Sequence, residues 1–150
     1  MTVLPTRAAG EVLCIAAIVN DAVISKYDLD QRVRLVVATS GIQPTRENIE
    51  RIREQVLRSL VDEKLQLQEA ARLELEIEDE EVDQSITGIA QRAGMSSEEI
   101  VEYLDENGVN EAALRTQITA DVAWNRVISA RFAPLVQIGD DEIDETLARI

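Results

Sequence analysis

"CIAAIVNDAVIS", Cys14 to Ser25, reads as a strand, a two-residue turn and a second strand. Eight apolar residues, Val12 to Val19, run into Asn20-Asp21, two residue types that tolerate positive φ. The turn pairs Val19 with Ala22, Ile18 with Val23 and Ala17 with Ile24. Then the pattern changes. "SKYD" is a capping box, with Ser25 at the N-cap and Asp28 three residues on. An isolated hairpin is marginally stable in water, so something later in the chain must hold this one. Apolar side chains on both faces of the first strand predict a hairpin shielded on both sides, a clasp on the helices. Cys14 reads as a small core residue of that strand.

Nearly everything after Ser25 reads as helix. The first helix carries Leu29, Val33, Val36 and Val37 on one face and ends near Gly41. The second runs from near Thr45 to about Leu73, with the stripe Ile49, Ile52, Val56 and Leu60. Leu57, Val61 and Leu65 lie beside that stripe. At roughly 28 residues it would be about 42 Å long, suited to a central spine. "LELEI" (Leu73 to Ile77) alternates as a short strand would. A third helix turns Val82, Ile86, Ile89 and Ala93 inward and ends at Gly94. "SSEE", pairing Ser96 with Glu99, opens a fourth, which carries Ile100, Tyr103 and Leu104 and stops at Gly108. Asn110 caps a fifth, with Leu114, Ile118, Val122 and Ile128 inward, and Pro134 ends it. "LVQI" is again extended, and Asp140 starts a last helix. The expected fold is therefore mainly α. It is a multi-helix orthogonal array with an N-terminal β-hairpin and one or two short extra strands.

"IEDEEVDQSI" (Ile77 to Ile86) is echoed by "IGDDEIDETL" (Ile138 to Leu147). Calcium loops alternate their acids about a central Gly. These acids are consecutive, and acids at a helix start complement its dipole. The echo is read as two helix caps.

Composition narrows the function. The net charge is −14, which repels phosphate backbones and anionic lipid surfaces, so nucleic acid is not an expected partner. No run approaches the ~20 apolar residues of a membrane span. The single Cys and the absence of His exclude an internal disulfide, a Cys/His zinc site and Ser-His or Cys-His nucleophile pairs. No Gly-rich phosphate cradle occurs, and no cofactor is expected. Aromatics are 3% of the chain, so the core must be aliphatic.

Five segments in order carry a resemblance. They are "IAAIVNDAVISKYDLDQRV", "VLRSLVDEKLQLQEAARL", "IEDEEVDQSITGIAQRAGMSSEEI", "ALRTQITADVAWNRVI" and "VQIGDDEIDETL". Together they resemble the N-terminal chaperone domain of SurA-type periplasmic chaperones, parvulin-type peptidyl-prolyl isomerases of Gram-negative bacteria. The resemblance implies a helical module that holds unfolded outer-membrane proteins in the periplasm. It also implies an isomerase domain after the last segment and a closing helix from beyond that domain. Residues 1–11 are then a leader remnant, 12–138 the chaperone domain, and 139–150 the start of the connection to the isomerase. Glu78 stands where the family often has a Ser N-cap, which weakens that helix start. Parvulin sites use His residues on a four-stranded sheet, so this chain is expected to carry no isomerase activity.

Two readings of function follow. The first is an ATP-independent holdase whose aliphatic groove lies along the second and fifth helices. Its candidate client-binding residues are Leu57, Val61, Leu65, Trp124, Ile128 and Phe132. The second is an oligomerisation module, a homodimer formed by exchange of hairpins or terminal helices. Ile143, Leu147 and Ile150 would leave an apolar stripe uncovered, which fits a fragment or part of an assembly.

Overall fold

A computed structural model describes the backbone of residues 14–148 and the side-chain surroundings of residues 14–133. Strands β1 (Ile15–Val19) and β2 (Ala22–Ser25) form an antiparallel hairpin. Its register pairs Val19 with Ala22, Ile18 with Val23 and Ala17 with Ile24, as the turn dictates, with an irregularity between Ile15 and Ala17. Asn20 supplies the positive φ, at 53°. Helices follow: α1 (Lys26–Ser40), α2 (Arg46–Arg72), α3 (Asp79–Arg92), α4 (Ser97–Glu106) and α5 (Glu111–Ala148).

The starts of the helices are written in their caps. Ser25 Oγ accepts from the Asp28 N–H at 3.0 Å, and the Asp28 carboxylate accepts from the Ser25 N–H at 3.1 Å. Ser96 and Glu99 repeat that reciprocal pair at the start of α4. Thr45 caps α2, and Asn110 Oδ1 caps α5 through the Ala112 N–H at 2.9 Å. At α3 the Glu81 carboxylate accepts from the Glu78 N–H at 3.1 Å.

Three apolar clusters hold the elements. The first joins the hairpin to α1 and α2 through Val19, Ile24, Leu29, Val33, Ile52, Val56 and Leu60. The second joins Leu35 of α1 to Val82 and Ile86 of α3, Leu104 of α4, and Leu114 and Ile118 of α5. The third is small, with Ala70 of α2 against Ala123 and Val127 of α5. The hairpin is also stitched to α2 by one residue. Gln68 donates to the Val19 carbonyl at 3.0 Å and accepts from the Asn20 amide at 2.6 Å.

Several expectations need correction. "LELEI" is not a strand, and among the described residues the sheet has two strands. The alternation has another cause: Leu73, Leu75 and Ile77 pack as a connection onto the third cluster, with no ladder to join. Leu73 to Leu75 form the C-terminal turn of α2, in which the Leu75 N–H reaches the Ala70 carbonyl at 3.0 Å. Glu74 takes φ 55° there, the left-handed position that Gly94 and Gly108 fill after α3 and α4.

Pro134 does not end α5, "LVQI" is not extended, and Asp140 opens no new helix; the backbone stays helical to Ala148. A proline deletes one hydrogen bond of the ladder. The residues before it, Arg131 to Ala133, are exposed, so no packed layer has to break there. The second half of the acidic echo therefore lies inside a helix. The side chains of Ile143, Leu147 and Ile150 lie outside the described residues.

The hairpin is shielded on one face only. Val19 and Ile24 are buried, whereas Ile18 and Val23, paired across the strands, are 65% and 47% exposed. Cys14 is exposed as well, just before β1. No second layer among the described residues reaches that outer face. In α5, Val127 replaces Ile128 as the inward residue. The buried line runs through Ala120 and Ala123, and alanines do not mark a stripe in sequence as Ile or Leu do.

Candidate functional site

Helices α2 and α5 form the most extensive helix–helix pairing among the described residues and run side by side in the same sense. Their seam has two ends. At the first, Arg32 reaches out of α1 to Glu63 of α2 in a bidentate pair, one arm of it 3.0 Å long. Arg32 Nη2 also donates to the Ala113 carbonyl of α5 at 3.3 Å. Both side chains are buried, so three helices converge on one ion pair. A pocket of about 160 Å³ lies beside it, walled by Ile24, Tyr27, Leu60 and Leu67.

At the second end no third element among the described residues closes the seam. Leu65 and Gln66 of α2 face Trp124 of α5 across an open cleft of about 540 Å³. The cleft is bounded by Asp62 on one side and by the ion pair of Glu69 with Arg131 on the other. Ile128 and Phe132 follow Trp124 at four-residue steps, which places them on the same stripe of α5. Leu65, Trp124, Ile128 and Phe132 are 44%, 38%, 38% and 55% exposed. The helices approach closely just beneath, where Ala70, Ala120 and Ala123 are at most 2% exposed.

The six expected groove residues therefore divide. Leu65 and Trp124 are brought together, with Ile128 and Phe132 continuing the stripe. Leu57 and Val61 are half-buried and pack on the hairpin cluster instead. Sequence reasoning missed Arg32 and Glu63. The signal was present: each is a charge at a stripe position, three residues after Leu29 and Leu60.

The charges of the seam are perturbed. Hydrogen bonds from Arg72 and then Arg131 lower the Glu69 carboxyl from 4.5 to about 2. Burial, then the charge of Glu63, pushes the Asp121 carboxyl up, while Arg32 pulls it back. Asp62 and Asp121 form no ion pair with any described residue. These side chains make no nucleophile–base pair, and what the seam offers is a surface. All four aromatic rings of the chain, Tyr27, Tyr103, Trp124 and Phe132, are exposed, although rings of this size are usually well buried.

The profile of the SurA N-terminal domain family matches residues 12–128. The chain belongs to the SurA N-terminal domain family. The match is to that chaperone domain and includes no parvulin domain. The chain is 37% identical to the chaperone SurA of Pseudomonas syringae pv. syringae over 139 residues, 89% of this chain and 32% of that protein. It is 35% identical to the chaperone SurA of Pseudomonas fluorescens over 153 residues, 97% of this chain and 35% of that protein. It is 33% identical to the chaperone SurA of Alcanivorax borkumensis, over 89% of this chain and 31% of that protein. The chain thus spans about a third of the length of these relatives. No helix among the described residues is long and apolar enough to cross a membrane.

Proposed function

We propose that residues 12–138 form an ATP-independent chaperone domain that holds unfolded outer-membrane proteins in the periplasm, within a longer protein that also carries a parvulin-type isomerase. The observation that carries this reading is the uncovered end of the α2–α5 seam. Trp124, Ile128 and Phe132 stand in one exposed stripe, with Leu65 opposite Trp124. Contiguous exposed apolar patches mark interaction sites. The family match and the relatives named chaperone SurA support the same reading.

The holding mechanism follows from size. Four partly exposed side chains fall short of the roughly 20–30 residues that each partner gives a standard protein interface. An extended segment can bury one or two apolar side chains in it and leave again without an energy source. Many weak, brief contacts keep an unfolded chain from meeting its own kind.

The test is an aggregation assay. A β-barrel protein diluted from urea is mixed with the chain, and light scattering is followed without ATP. The wild type is expected to suppress scattering. The double variant Trp124→Ala, Phe132→Ala is expected to lose suppression while keeping its helical circular dichroism. Suppression by the double variant equal to the wild type would reject this site. A tight dimer that suppresses nothing would favour the exchange-dimer reading.

A further inference from the structure

The apolar cleft does not stop at Asp62. A second cleft of about 290 Å³ adjoins it along the same seam, sharing Asp62 and Gln66 and reaching Ser59, Gln117 and Asp121. Together they make one channel that is apolar at one end and polar at the other. Four carboxylates and two guanidinium groups line it. Arg32 is committed to Glu63, and Arg131 to Glu69. That leaves Asp62 and Asp121, one from each wall, with neither an ion pair nor a hydrogen bond among the described residues.

The spacing ties these two acids to the apolar pair. Asp62 lies three residues before Leu65, and Asp121 three before Trp124. Side chains three apart on a helix are about 5–6 Å from one another at Cβ. An extended chain rises about 3.3 Å per residue, so same-face neighbours two residues apart match that distance. The Asp121 carboxyl is exposed, yet partial burial and the charge of Glu63 push it up, and a cation beside it would offset that charge.

We propose that the α2–α5 channel selects extended segments in which a lysine or arginine lies two residues from a bulky apolar side chain. The apolar residue enters between Leu65 and Trp124, and the cation sits between Asp62 and Asp121. Acidic segments of equal hydrophobicity are turned away by the same two carboxylates. This selectivity rests on reading the cleft as a client site.

Three Trp-free peptides, identical except for Arg, Gln or Glu two residues from a single Phe, test it by titration against the full chain. The Arg peptide is expected to bind about tenfold more tightly than the Glu peptide at low salt, a ratio that shrinks as salt screens the charges. In Asp62→Asn, Asp121→Asn the ratio is expected to collapse to about twofold or less. In Glu98→Gln, Glu102→Gln, which removes equal charge from exposed positions of α4, the ranking is expected to persist. A ranking that survives in the Asp62, Asp121 variant, or that falls equally in the α4 variant, would overturn the selectivity. If the Gln peptide binds the wild type and no ranking appears, the selectivity fails and the client site stands. If no peptide binds, both fail.

Discussion

The two ends of the α2–α5 seam are built from the same two helices and do opposite things. At the Arg32–Glu63 end, α1 lies over the seam and its charge is neutralised inside. At the Leu65–Trp124 end nothing among the described residues lies over it, and its apolar side chains face water. Helix pairing therefore explains neither end alone. Coverage by a third element separates a buried core from an exposed apolar surface. The closed end should carry stability and the open end recognition.

The largest expected effect tests the closed end. Arg32→Leu leaves the Glu63 carboxylate buried without its partner, and should cost about 3–5 kcal/mol in urea unfolding. That is a large part of the ~5–15 kcal/mol that holds a typical domain. Replacing both partners, Arg32→Met with Glu63→Leu, should restore most of the loss, because no uncompensated charge remains. Binding of the uncharged Gln peptide at the Leu65–Trp124 end, per folded molecule, should be unchanged in either variant. Weakened binding in the repaired double variant would break the division between the two ends.

A smaller effect probes the floor between them. Ala123 is fully buried where α2 and α5 approach. Ala123→Leu overpacks that contact and should cost about 1–3 kcal/mol in thermal or urea unfolding. Because it pries the seam apart beneath Trp124, it should also weaken peptide binding. Stability unchanged by Ala123→Leu would mean that the close approach is not a packed contact.

The smallest effect is acid-dependent. Glu69 is held at about 2 by Arg72 and Arg131, below its ordinary 4.5. A depressed carboxyl contributes stability above its unfolded value and loses that contribution as pH falls toward the folded one. The link from Arg131 to α2 should therefore weaken between pH 4.5 and 2. Trp124, which shares the cleft with Glu69, reports it through its emission. In Glu69→Gln that acid step in emission should be absent; if it remains, another group controls the cleft.

What the sequence revealed of this arrangement was local. The hairpin register followed from Asn20-Asp21, and the caps at Ser25, Thr45, Ser96 and Asn110 sit where short polar residues precede apolar periodicity. Contacts between distant segments were harder to see. Arg32 and Glu63 lie thirty-one residues apart, and each looks like an ordinary surface charge until α1 is laid on α2. Alternation in "LELEI" came from packing of Leu73, Leu75 and Ile77 rather than from pairing, which a single segment cannot distinguish. Proline chemistry at Pro134 gave way to the helix around it. Of the groove, the stripe from Trp124 to Phe132 was visible from its spacing, but its exposure was not. Periodicity finds an apolar face without saying what covers it.

Trp124 is the chain's single tryptophan and stands at the open end, so its emission tests the central claim most directly. The chain is titrated with a Trp-free, urea-unfolded β-barrel segment while emission and scattering are followed together. A saturable blue shift of Trp124, in step with suppression of aggregation, is the predicted result. Full suppression with Trp124 emission unchanged would place holding elsewhere and contradict the account.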